Sequence, residues 1–246
     1  MSPLRIGMLT PSSNTVLEPV TVRIVAGLAG VSVHFSRFRV TRIGLDLAAL
    51  GQFDQAPMLA AAELLADAQV DVISWNGTSA GWLGLDADRR LCARITAATG
   101  IATSTSVLAL FELLAKRGER RIGLVTPYTD DVQAAIVAGF AREGVAVVAE
   151  RHLGLRDNFS FGAVTPATLT AMIDEVARAR PDAVAVLCTN LAAAPLAAAL
   201  ETRHDLTIHD SVATAVYGAL AAAGGNPADV VGYGRLFETP PAASRG

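Results

Sequence analysis

The sequence has almost no lysine. Nineteen of its 20 basic residues are arginine, and Lys116 is the one lysine among 246 residues. Schiff-base chemistry therefore has a single candidate, which lies in the polar run 116–120, typical of a solvated helix end. The net charge is −3 and no basic stripe is present, so the chain lacks the surface that nucleic-acid phosphates require.

Cysteines and long apolar runs are also scarce. Two cysteines exclude a disulfide framework. No apolar run reaches the roughly 18 residues needed to span a bilayer, and no signal-peptide core precedes the first strand. Nucleotide-binding loops are missing, and the histidines lack metal-ligand spacing. We expect a cytoplasmic protein without membrane contact, cofactor or metal.

An internal repeat is the main feature that the sequence does contain. Arg-Ile-Gly-Met-Leu-Thr-Pro at 5–11 returns as Arg-Ile-Gly-Leu-Val-Thr-Pro at 121–127. Each copy leads on to an apolar run that ends in small polar residues. The repeat predicts two pseudo-symmetric lobes, residues 1–117 and residues 118–223, with the segment 224–238 packing back on the first lobe.

Apolar β-branched runs alternate with Ala/Leu-rich helical stretches, which is typical of an α/β fold with parallel sheets. Strands are predicted near 4–10, 31–39, 70–75, 101–103, 121–125, 145–150, 182–187 and 206–208. Helices are predicted near 15–29, 54–68, 86–99, 106–117, 129–143, 166–179, 191–203 and 211–223. Polar clusters follow the strands at 10–15, 76–79, 126–131, 188–190 and 209–211. Ligands of parallel α/β sheets bind at the carboxyl ends of strands, so we expect the active site in the cleft between the lobes.

Cys188 is the strongest candidate for chemistry. It ends an apolar run and precedes a predicted helix, whose amides and dipole stabilise a thiolate. The alternative is a small buried hydrophobic residue, the usual role of a free cysteine. Cys92 lies within an amphipathic helix and is the weaker candidate. If the halves are pseudo-symmetric, Gly77 faces Cys188, and only one of two opposed thiol positions is occupied.

Hydroxyl and amide groups surround these two positions. Gly77, Thr78 and Ser79 form a nest suited to a carboxylate or an oxyanion. The segment 11–15, which contains Ser12 and Asn14, has the same composition. Helix N-capping is the alternative for both segments, because it uses the same residue types.

Three further polar positions are candidates. The Tyr128 hydroxyl can donate to a carboxylate. Asn158 lies in the loop 156–162, which either closes over the cleft or forms a turn pinned by its phenylalanines. His209 at a strand end is a weaker candidate for catalysis.

These motifs, in their order and spacing, resemble the aspartate/glutamate racemase superfamily, in particular its arylmalonate decarboxylase and maleate cis–trans isomerase branch. The resemblance covers nearly the whole chain and rests on residues 11–15, 77–79, 128–132, Asn158, Cys188 and 232–237. Racemases and isomerases of this superfamily use one thiol from each half, and Gly77 stands where the first thiol is expected.

The resemblance implies a decarboxylase of malonate-type dicarboxylates that needs no cofactor. One substrate carboxylate is expected in an oxyanion hole of Thr78, Ser79, Tyr128 and the amides near Cys188, with Thr189 beside them. Cys188 then protonates the enediolate from one face.

Two alternatives stay open. Asn14 and Asn158 match carboxylate-binding asparagines of maleate isomerases, and Asn76 is expected to place a polar group beside the cleft. Isomerisation or racemisation of a small dicarboxylate would then need Ser12 or Ser79 on the Gly77 side. The other alternative is a non-catalytic protein that binds small anions. Specificity is assigned to loops 40–53 and 153–163, and a homo-oligomer is left open.

Overall fold

Two four-stranded parallel sheets form the framework of the protein, which is described by a computed structural model over residues 3–238. The strands of the first sheet are β1 (Leu4–Pro11), β2 (Val31–Phe38), β3 (Val72–Trp75) and β4 (Ala102–Thr105). Those of the second are β5 (Arg121–Thr126), β6 (Ala146–His152), β7 (Ala183–Val186) and β8 (Thr207–Asp210). The predicted α/β class and all eight predicted strands are confirmed.

The two sheets share one topology. Their strand orders are β2-β1-β3-β4 and β6-β5-β7-β8, and every pair is parallel. Every residue of β3 and β7 is buried, as expected for strands covered by helices on both faces. The pseudo-symmetry predicted from the repeat is therefore present in the strand order itself.

Eleven helices connect and cover these strands within the described residues. They are α1 (Leu17–Val25), α2 (Leu47–Leu50), α3 (Gln55–Asp67), α4 (Ala80–Leu83), α5 (Leu85–Thr99), α6 (Ser106–Arg117), α7 (Asp130–Arg142), α8 (Asn158–Phe161), α9 (Pro166–Ala177), α10 (Ala197–His204) and α11 (Ser211–Ala222). The eight predicted helices are all found. The one-turn helices α2, α4 and α8 were not predicted, because four residues carry no helical periodicity.

One predicted helix begins later than expected. The prediction was 191–203, whereas a 3₁₀ turn occupies Ala194–Leu196 and α10 starts at Ala197. Pro195 explains the delay, since proline disfavours the α conformation of the residue before it and has no N–H to donate.

Helices α6 and α11 join the two halves. The Ser106 hydroxyl, at the start of α6, donates to the Ser211 carbonyl at 2.7 Å and lies 3.0 Å from the Thr214 hydroxyl. Helix α11 packs against α6, β3 and β4, although the repeat assigns it to the second half. On the other side of α6, Phe111 contacts Phe140 of α7 with ring centroids 4.7 Å apart. The division of the chain at 117 and 223 stays a prediction.

The segment after α11 covers one end of this arrangement. Val230, Leu236 and Phe237 are buried in a cluster that includes Ile6 and Met8 of β1. Within residues 3–238, no helix is long and apolar enough to cross a membrane.

Candidate active site

A small cavity lies between the two halves, at the carboxyl ends of the strands. Its empty volume is about 280 Å³. The lining residues are Pro11, Val40, Ile43, Phe53, Trp75, Gly77, Thr78, Ser79, Trp82, Tyr128, Asn158, Cys188 and Thr189. Seven of the nine predicted site residues therefore meet in one cavity. A larger, open groove near Gly30 and Gly225 contains none of the predicted site residues.

Cys188 lies two residues beyond β7 and is only 2% exposed. The Asn190 N–H donates to its Sγ at 3.4 Å. Burial raises the pKa of the Cys188 thiol from the ordinary value of 9.0 to about 12, and the hydrogen bond with the Tyr128 hydroxyl opposes that rise. The thiol is consequently neutral at physiological pH and can act as a proton donor.

Hydroxyl groups from both halves meet beside this thiol. Thr78 Oγ1 and the Tyr128 hydroxyl are 2.8 Å apart, and both residues are buried. Burial raises the pKa of Tyr128 well above its ordinary range, so it keeps its proton. The Ser79 hydroxyl is also buried and accepts from Trp75 Nε1 at 3.4 Å. These groups form a set of neutral hydrogen-bonding partners for a carboxylate.

The Gly77 position has no room for a side chain. A Cβ built on Gly77 would lie 2.1, 2.4 and 2.5 Å from three atoms of the Trp75 indole. That indole is 1% exposed and packs on Phe38 with ring centroids 5.1 Å apart. The empty thiol position inferred from the sequence is thus filled by the side chain of a neighbouring residue.

Asn14 supports the cavity from behind. Its Nδ2 donates to Thr189 Oγ1 at 3.1 Å, while its Oδ1 accepts from the N–H groups of Val16 and Leu17 at the start of α1. It is therefore a helix-capping residue that also holds Thr189, and it is not among the lining residues. Ser12 is exposed, and its hydroxyl is bonded to the backbone N–H and C=O of Val40. Ser12 does not line the cavity either.

Asn158 and Asn190 connect the halves at the cavity wall. Asn158 Nδ2 donates to Ser13 Oγ at 2.8 Å, and its carbonyl accepts from Asn190 Nδ2 at 2.5 Å. Asn190 Oδ1 accepts from the N–H groups of Thr15 and Val16 at 3.0 and 3.2 Å. Sequence reasoning missed Asn190 as a functional position. Its place directly after Cys188-Thr189, at a strand end, is the signal that could have identified it.

The loops to which specificity was assigned both line the cavity. Loop 40–53 contributes the apolar side chains of Val40, Ile43 and Phe53, and the second loop contributes Asn158. The two loops pair through an isolated β-bridge and through the hydrogen bond from the Ile43 N–H to the Arg156 carbonyl at 2.8 Å. One wall of the cavity is therefore apolar and closed over.

Other candidate residues lie outside the cavity. Asn76 is fully buried with its Nδ2 3.6 Å from Met8 Sδ, so the expectation that it adds polarity to the cleft is wrong. Side chains alternate along an extended chain, which turns Asn76 away from the side of Trp75 and Gly77. His209 is buried and pairs with Glu119 at 2.6 Å. Cys92 is a half-buried residue of α5.

The cavity lining supplies no positive charge to a bound carboxylate. Its lining residues, within 3–238, include no Arg, Lys or His. A carboxylate would be bound by the hydroxyls and amides on one side and would meet only apolar groups on the other. An ion on the apolar side would lose its hydration without gaining a partner.

Comparisons with known proteins relate nearly the whole chain to two kinds of enzyme. A family model described as arylmalonate decarboxylase matches residues 33–237. The chain is 27% identical over 236 residues to an arylmalonate decarboxylase of Bordetella bronchiseptica, covering 95% of this chain and 96% of that protein. It is 27% identical over 230 residues to a maleate isomerase of Pseudomonas putida, covering 89% and 91%. A solved maleate isomerase from Pseudomonas putida S16, with maleate, has the same fold, with a TM-score of 0.88 at 23% identity over 96% of this chain and 98% of that one.

Proposed function

Since the chain belongs to the arylmalonate decarboxylase family, we propose that it decarboxylates a malonate-type dicarboxylate without a cofactor. One observation carries this proposal: a buried neutral thiol, Cys188, lines the same cavity as Gly77, whose side-chain space is filled by Trp75. A reaction that needs one proton donor fits this arrangement. A reaction that needs two opposed thiols does not.

The first step is loss of carbon dioxide. One substrate carboxylate binds to Thr78, Ser79 and Tyr128, and the other faces the apolar wall of Val40 and Ile43. Poor solvation of that second carboxylate favours breaking its bond to the α-carbon. The electron pair of this bond moves into the enediolate, whose negative charge is held by the hydroxyl donors.

The second step is protonation. Cys188 Sγ–H gives its proton to the α-carbon, and the resulting thiolate accepts hydrogen bonds from the Tyr128 hydroxyl and the Asn190 N–H. The high pKa of Cys188 favours return of a proton from water, which restores the thiol. A single donor delivers the proton to one face, so a prochiral substrate yields one enantiomer.

The test is carbon dioxide release from a panel of aryl and alkyl malonates. We expect the wild type to release carbon dioxide and to form a chiral product with high enantiomeric excess. Cys188→Ala should lose this activity, whereas the matched variant Cys92→Ala should retain it. Full turnover by Cys188→Ala would exclude the thiol as the proton donor.

Isomerisation or racemisation of a small dicarboxylate is the second candidate. The position of Asn158 in the lining and the hydrogen bond from Asn14 to Thr189 favour it, as does the 27% identity to a maleate isomerase. Ser79 is the hydroxyl near Gly77 that would have to serve as the second group. Conversion of maleate to fumarate, or solvent-deuterium exchange at the α-carbon without carbon dioxide release, would support this candidate.

A further inference from the structure

Beside the cavity, the two halves of the chain have side chains of different size at equivalent strand positions. In the first sheet Leu9 of β1 pairs with Trp75 of β3, and in the second sheet Val125 of β5 pairs with Val186 of β7. Leu9 and Val125 hold the same place in the repeated segment Arg-Ile-Gly-x-x-Thr-Pro. Trp75 is therefore the equivalent of Val186, and Gly77 is the equivalent of Cys188.

The size of the strand residue decides what fits two positions later. Residues two apart in an extended chain project to the same side, so residue 75 and residue 77 compete for one space, as do 186 and 188. In the second half a small valine leaves room for the Cys188 side chain. In the first half the indole takes that room, with atoms as close as 2.1 Å to a Cβ on residue 77. Real Cβ atoms do not approach other atoms so closely, and packed interiors have no void to absorb the overlap.

The indole is also held in place. It is 1% exposed, it lies against Phe38, and its Nε1 donates to Ser79 Oγ at 3.4 Å. A side chain with contacts on several sides cannot swing aside cheaply. Space at position 77 consequently depends on the identity of residue 75 rather than on a rotamer change.

We propose that Trp75 is a specificity-determining residue, which fills the Gly77 side of the cavity and so prevents a side chain at position 77 from acting as a second proton donor to the substrate. This role of Trp75 rests on the proposed function, because it assumes that Cys188 is the proton donor. The substrate is then protonated from the Cys188 side alone, and the enzyme cannot racemise its own product. A cysteine at position 77 would remain ineffective until residue 75 is made small.

The packing half of the proposal is tested without any substrate. Gly77→Ala is measured by thermal unfolding in three backgrounds: wild type, Trp75→Val and Trp82→Val. Trp82 is the matched control, because it lines the same cavity and is not among the atoms nearest to a Cβ on Gly77. We expect Gly77→Ala to lower Tm by about 5 °C in wild type and in Trp82→Val, and by about 1 °C or less in Trp75→Val. Equal losses in all three backgrounds would overturn the proposal.

The chemical half uses one enantiomer of 2-phenylpropionate in D₂O. The double variant Trp75→Val/Gly77→Cys should exchange the α-hydrogen and racemise this acid about 100-fold faster than Gly77→Cys alone. Equal rates for the two variants would contradict the proposal. If the double variant does not fold, Trp75→Phe/Gly77→Cys replaces it, since phenylalanine is also smaller than tryptophan.

The two proposals fail in different ways. If wild type releases no carbon dioxide from any malonate, the proposed function is wrong, whereas the unfolding measurements still decide whether Trp75 excludes a side chain at position 77. If wild type releases carbon dioxide but Gly77→Ala costs nothing, only the inference about Trp75 is wrong.

Discussion

The Cys188 thiol should be exceptionally slow to alkylate in the folded protein. Burial raises its pKa from 9.0 to about 12. At about pH 8 a thiol with the ordinary value is roughly one-tenth ionised, whereas the Cys188 thiol is ionised to about one part in 10,000. Because the thiolate is the form that reacts, alkylation should be about 1,000-fold slower from ionisation alone. Its 2% exposure can only slow the reaction further.

The assay is modification by iodoacetamide followed by peptide mass spectrometry. The same cysteine in the chain unfolded by guanidinium chloride is the reference, because it has an ordinary environment. We expect a ratio of rates of about 1,000 or more between the unfolded and the folded protein. A ratio below about 10 would show that the folded thiol ionises readily, and the argument from burial would be refuted.

The raised pKa of Cys188 also predicts how the rate of turnover depends on pH. If the neutral thiol is the working form, the rate of carbon dioxide release stays flat between about pH 7 and pH 9, since the fraction of neutral thiol hardly changes. A mechanism that uses the thiolate as a nucleophile would instead speed up about tenfold per pH unit. Steady-state kinetics across this interval distinguish the two mechanisms.

Three other predictions concern hydrogen bonding and buried charge. Tyr128→Phe should lower kcat about 100-fold by removing one donor to the enediolate, while Tyr217→Phe on α11 leaves kcat unchanged. Asn190→Ala should lower Tm by about 5 °C, because the buried Asn158 carbonyl loses its side-chain donor and the Thr15 N–H loses its acceptor. Burial raises the pKa of Asp88 from 3.8 to about 7. The neutral carboxyl therefore stabilises the folded state fully below about pH 4, and this stabilisation is lost as the pH rises through 7. Asp210, whose pKa burial also raises to about 7, contributes a fall that all variants share. Over this interval the unfolding free energy of wild type and of Asp86→Asn, whose side chain is 75% exposed, should therefore fall by roughly 4 kcal/mol more than that of Asp88→Asn.

Each of these has an outcome that would contradict it. Equal kcat values for both tyrosine variants would remove Tyr128 from the oxyanion site. An unchanged Tm after Asn190→Ala would mean that water replaces the lost hydrogen bonds. Parallel stability curves for the two aspartate variants, measured by urea unfolding at several pH values, would mean that Asp88 is charged in the folded protein.

Much of the fold follows from the sequence alone. Valine- and isoleucine-rich runs separated by Ala/Leu-rich stretches predict the strand and helix order, and the repeated segment predicts that both halves share it. The meeting of Thr78, Tyr128 and Cys188 also follows, because the carboxyl ends of parallel strands converge at one edge.

The remaining features depend on three-dimensional packing that no local pattern encodes. The contact of the Trp75 indole with Gly77 depends on a rotamer that is set by Phe38 and Ser79. The hydrogen bonds of Asn190 reach residues more than 170 positions away in the chain. The role of Ser12 in bonding Val40 rather than a ligand likewise depends on the path of a loop.

The crossing of α6 and α11 restricts how the cavity can open. Swinging the sheets apart as rigid bodies would pull α11 away from β3 and β4 and separate the Ser106 hydroxyl from Ser211 and Thr214. Separating loops 40–53 and 153–163 would break only their short β-bridge and a few backbone hydrogen bonds, which is less than the packing of α11 that a movement of the sheets would break. Substrate should therefore enter when loops 40–53 and 153–163 separate from each other, while the two sheets keep their relative positions.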